Sequence, residues 1–133
     1  MKSFLSQFHI SGMQKIRLEQ FIYNLADQMI QGYNGGRWPA AKFGKVSCLT
    51  IPGNDATVTL SSPLSGVSVT TDRNTASVIF SFMVTAWFWE RHSETMNDVI
   101  SEAFSTVYNT IKDQVYSTDN KKIDSNAFFR FTD

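Results

Sequence analysis

Cysteine, histidine and proline are scarce in this chain, and its charges cancel. The single Cys48 cannot close an intramolecular disulfide, which suits a reducing cytoplasm. Two distant histidines, His9 and His92, do not approach a zinc pattern even with that cysteine, and a lone histidine is more often a packed or surface side chain than a base. Nucleophilic hydrolysis calls for a Ser or Cys beside a His and an orienting acid, and no G-x-S-x-G elbow surrounds any serine here. Twelve basic against twelve acidic residues give a net charge of zero. That balance argues against a general nucleic-acid binder, which shows a basic excess, and against a carboxylate-coated imitation of DNA. The most apolar stretch, Ala76 to Trp89, contains Ser81 and Thr85 and falls short of the roughly 20 residues of a membrane span. At the amino end, Phe4-Leu5 gives way to Ser6, Gln7 and His9, too short a run for a signal peptide. The expectation is a soluble, cytoplasmic protein without a membrane segment.

Apolar material, by contrast, is plentiful. Hydrophobic residues make up 42% of the 133 and aromatics 14%, with 11 Phe, so the chain reads as one domain over residues 1–133 with an ordinary core. The stretch Tyr33-Asn34-Gly35-Gly36-Arg37-Trp38 marks the passage from helix to sheet. Adjacent glycines permit backbone angles costly to other residues, and Trp38 offers a ring that could pin the bend to a core. A glycine pair could instead cradle phosphate, but neither the P-loop nor the dinucleotide fingerprint surrounds it.

Upstream, Phe4 and Phe8 anchor the amino end. Leu18, Phe21, Ile22, Leu25, Met29 and Ile30 then form one apolar stripe at helical spacing. Ser11-x-x-Gln14 offers a capping box and Gly32 a residue just past the helix end. Downstream, Pro39 and Gly44 break the pattern. Short β-rich segments follow at Val46–Ile51, Thr57–Leu60 and Val67–Thr70, divided by turns at residues 52–55 and 61–66. The strict alternation in 57–60 puts Val58 and Leu60 inward. Short links predict an antiparallel meander. A second helix, capped by Thr70, Thr71 or Asp72, runs through Ala76–Trp89 with apolar residues on every side, the mark of a buried helix; a strand is the runner-up. A third, from Ser93 or Thr95-x-x-Asp98 to about Ser117, carries Met96, Val99, Ile100, Ala103, Phe104, Val107, Tyr108, Ile111 and Val115 at helical spacing. Asp124–Phe131 could add a last turn. The fold class is therefore α/β (α+β): a small antiparallel sheet of three to four strands packed against about three helices, the central one buried.

Two charge groups stand out. If the second and third helices are joined or nearly so, Glu90, Glu94, Asp98 and Glu102, four apart, make an acidic stripe. It reads either as a solvated face or as a contact surface for a basic patch. Arg37, Lys42 and Lys45, interleaved with Trp38 and Phe43, could touch phosphates, though three charges in a loop give only weak, salt-sensitive affinity.

Leu18 through Trp38, ending in Tyr33-Asn34-Gly35-Gly36-Arg37-Trp38, resembles the first helix and Y-x-G-G-x-W turn of the ArdB/KlcA antirestriction proteins of plasmids, phages and genomic islands. Phe4–His9 stands where that family has an aromatic stretch. Leu49-Thr50-Ile51-Pro52 is similar to its proline-ended strand, Thr70–Ala76 to the start of its central helix, and Ala127–Asp133 to its ending. The resemblance implies a diverged, non-enzymatic inhibitor of type I restriction, acting on a host restriction complex or another defence protein without cofactor. It makes Tyr33, Asn34, Gly35, Gly36 and Trp38 architectural. Glu90, Glu94, Asp98, Glu102, Arg37, Arg130 and Asp133 become the candidates for partner contact. The competing expectations are a small nucleic-acid-associated regulatory module, or an enzyme with a dispersed site.

Overall fold

The computed structural model describes residues 1–117 and 123–132. Its order is α1 (Lys2–Ser6), α2 (Met13–Met29), β1 (Ala40–Phe43), β2 (Val46–Leu49), β3 (Thr57–Ser61), β4 (Ser68–Asp72), α3 (Arg73–His92), a 3₁₀ turn (Ser93–Thr95), α4 (Asp98–Tyr116) and α5 (Ser125–Thr132). The class is mixed α+β. Among the described residues, no helix is long and apolar enough to cross a membrane.

Helix α3 is the axis of the core. Every residue from Thr75 to Thr85 is buried, so three turns have no wet side and both hairpins and the other long helices pack around it. Asp72 is its cap: the carboxylate accepts from the Thr75 amide at 2.9 Å and the Thr75 hydroxyl at 2.6 Å. Burial alone would raise the Asp72 pKa, but these bonds and the Thr71 hydroxyl outweigh it and hold the group below its usual value. The other expected caps differ. Gly12, at φ 57, precedes α2 without a side-chain bond, so the Ser11/Gln14 box does not form. Asn97, rather than Ser93 or Thr95, caps α4 through the Ile100 amide at 2.9 Å.

The expected single sheet of three to four strands is instead two antiparallel hairpins, β1–β2 and β3–β4. Strand β1 lies in the segment read from sequence as a broken loop. It closes on β2 through a two-residue turn at Gly44-Lys45, with Gly44 at φ 63 and the positive φ at the first turn position.

What keeps the hairpins apart is the free edge of β2. The pairing of Ala41 with Cys48 and of Phe43 with Val46 turns the backbone groups of Ser47, Leu49 and Ile51 away from β1. A third strand would bind there, but side chains have taken the places. Gln7 bonds both backbone groups of Ser47, at 3.1 and 2.8 Å. The Leu49 amide donates to Ser81 Oγ at 2.8 Å and the Ile51 amide to Ser77 Oγ at 3.0 Å. Arg73 continues the row, donating through Nη1 to the Ile51 and Pro52 carbonyls, both at 2.9 Å. The match is geometric. Four helical residues advance about 6 Å and two strand residues about 6.7 Å, so Arg73, Ser77 and Ser81 keep step with β2 running the other way. Strand β3 takes a lesser partner on its free edge: Ile30 bridges Leu60, and the Gln31 amide donates to the Thr59 carbonyl at 3.0 Å.

Rings fill the remaining space. Phe8 stacks on Phe104 at 4.1 Å, which stacks on Phe88 at 5.7 Å, fixing the amino end against α4. Phe128 meets Phe82 edge-on at 5.1 Å. With Phe128 and Phe131 buried, α5 ties down the carboxyl end as two helical turns.

Candidate functional site

The glycine-aromatic bend is built as architecture. Gly35 and Gly36 hold φ of 91 and 119, a region closed to most side chains. A Cβ on Gly36 would also stand 3.0 Å from Pro52 Cβ. Trp38 is buried and stacks on Phe80 at 5.1 Å; its Nε1 donates to the Tyr33 hydroxyl at 3.1 Å, while its carbonyl accepts from the Met1 ammonium. The bend thus clamps α2, the amino end and α3 together. Asn34 and Arg37 face solvent. Trp38 is sealed in and Phe43 half-buried beside the basic residues Arg37, Lys42 and Lys45.

The helices that carry the acidic residues are separate: α3 ends at His92, and after the 3₁₀ turn Met96 is extended at φ −89, ψ 138. Glu90 closes α3, Glu94 sits on the 3₁₀ turn, and Asp98 and Glu102 belong to α4. Glu102 lines a shallow depression with His9 and Lys45. Asp98 is in the first turn of α4, where a carboxylate favours the positive helix end. Arg130 is exposed on α5. Asp133 lies outside the described residues.

Groups with reactive potential are quiet. Burial, partly offset by a Ser81 hydrogen bond, pushes the Cys48 thiol up to about 12, leaving it no thiolate to offer near neutrality. His92 packs against Phe88 at 4.4 Å; burial first, then Arg91 and Arg17, lower its pKa. Among the described residues, no three His, Cys, Asp or Glu side chains gather to hold a metal.

Glu90 opens onto a larger concavity. A cleft of about 660 Å³ lies between α2, the end of α3 and the β3–β4 loop. Helix α2 supplies Phe21 and Asp27, and α3 supplies Trp87, Glu90 and Arg91. The loop contributes Leu64, which is 80% exposed. The Arg91 guanidinium lies over the Phe21 ring, 5.6 Å from its centroid. Sequence reading missed this site. Phe21 and Trp87 were assigned to the core by periodicity, and both are only half-buried. The one available signal was Leu64, an isolated apolar residue in a polar turn.

No protein-family model matches the chain, and no curated protein matches it.

Proposed function

We propose that this protein is a diverged ArdB/KlcA-like anti-defence protein, a non-enzymatic inhibitor that protects incoming foreign DNA by binding the host type I restriction complex in the cytoplasm. The resemblance along nearly the whole chain motivates the reading. The observation that carries it furthest is the α2–α3 cleft, where half-buried rings, a solvent-facing leucine and charged side chains share one concave surface. Apolar rings with a polar rim are the composition of a protein-binding surface.

The direct test is plating efficiency. Unmodified phage plated on a host with an active type I system should form more plaques when the host expresses this protein, and modified phage should be unaffected. Equal plating with and without it overturns the reading.

A further inference from the structure

We propose that the α2–α3 cleft docks a segment of a partner protein presenting an arginine next to an apolar side chain. This deepens the anti-defence reading by naming the partner's chemistry, and rests on that reading only for its biological setting.

Charge selects the occupant. Two carboxylates, Asp27 and Glu90, line the cleft with one guanidinium, and Arg91 already rests on Phe21. The rim is therefore negative on balance. A phosphate-bearing ligand would meet repulsion there, whereas a cation gains from both carboxylates. Arginine suits the site better than lysine, because its planar group can pair with a carboxylate and also stack on Trp87.

The apolar side of the cleft favours a polypeptide segment. Leu64 stands 80% exposed on a loop held by its own hydrogen bonds: Ser62 Oγ accepts from the Leu64 and Ser65 amides at 3.3 and 3.2 Å. A ligand confined to the rim would leave this side chain wet. A segment that follows an arginine with a leucine-like residue would cover it and take that apolar surface out of water.

Tryptophan indoles provide the readout. Trp38 Nε1 donates to Tyr33 and Trp89 Nε1 to Ser101 at 3.1 Å, while Trp87 lines the cleft. A short helical peptide of leucine and arginine, titrated into the full chain, should move the Trp87 indole resonance and leave the other two nearly still. Its counterpart with glutamate in place of arginine should bind more weakly. The double charge reversal Asp27→Lys with Glu90→Lys, at two exposed positions, should weaken the arginine peptide by roughly tenfold or more, the loss of about two surface ion pairs. Leu64→Ser, at the loop tip, should weaken it independently. Equal binding of the two peptides, or an unmoved Trp87 resonance, overturns the proposal. Plating separates the two ideas. If the wild type protects phage and the folded double reversal protects equally well, the cleft is not the docking site and the antirestriction reading survives. If peptide binding is charge-selective but the wild type gives no protection, the cleft stands and the antirestriction reading falls.

Discussion

Asp72 shows how much one side chain can decide. It ends β4 and caps α3, accepting bonds from the amide and hydroxyl of Thr75. Asp72→Ala should cost about 1 kcal/mol, the usual loss for such a cap, read from the urea midpoint at neutral pH. Asp72→Asn keeps an acceptor but removes the charge, so it should retain most of that stability. The two carboxyl-bearing states also make a pH signature. The folded group titrates below its usual 3.8; its contribution is therefore complete above that value and fades as pH falls through the lower, folded one. Midpoints measured between neutral pH and about pH 3 should fall less steeply for Asp72→Asn than for the wild type. Parallel slopes would show that the charge carries none of the capping energy. This cap was among three candidates legible in the sequence, whereas Asn97 was not, because Ser93 and Thr95 are equally good capping types and lie only a few residues upstream.

The elements tell a different story about what sequence can convey. Periodicity located α2 and most of α4, since each repeats apolar residues over several turns, whereas α3, apolar on every side, was told from a strand by its length. The strands at Val46, Thr57 and Ser68 were equally visible. Their assembly was not, because whether two hairpins share a sheet depends on what occupies the edge between them. Here the occupants are Gln7 and a row of polar side chains on a helix. Arg73, Ser77 and Ser81 recur every fourth residue, a pattern within reach of inspection but hidden at the head of an apolar run. Ser81 gives the row an energetic test. Its oxygen and the Leu49 amide are both buried, so Ser81→Ala leaves an orphaned donor and should cost about 1–3 kcal/mol. Ser105→Ala on α4, where the hydroxyl accepts a 3.4 Å contact from Asn109 at the surface, should stay within about 0.5 kcal/mol. Equal effects, measured by chemical denaturation, would mean that the helix–strand bonds contribute no more than a surface hydroxyl.

At the scale of the molecule, neither hairpin has a second sheet to lean on. A two-stranded hairpin is at best marginal in water, and each one here depends on the flank of α3. Loss of α3 should therefore dismantle both, and unfolding should proceed as one transition. Far-ultraviolet circular dichroism and tryptophan fluorescence should give superimposable urea curves; separated midpoints would show that one hairpin survives alone. The candidate site also belongs to this scale. Its residues come from α2, α3 and the β3–β4 loop, far apart in sequence, and only their packing brings them together. The acidic residues that read as a unit in the sequence are divided between two helices by a 3₁₀ turn and two extended residues after His92. A local spacing rule holds only while the element that carries it is unbroken.

The occupied edge of β2 has a consequence for how this chain behaves in a crowded solution. Val46–Ile51 has the composition that templates fibrils, yet its outward amides are engaged by Gln7, Ser77 and Ser81 of the same chain. A neighbouring molecule arriving in extended form finds no vacant donors along that border. Cross-chain stacking on this border must wait until α3 peels away, so its protection is an outcome of helix docking.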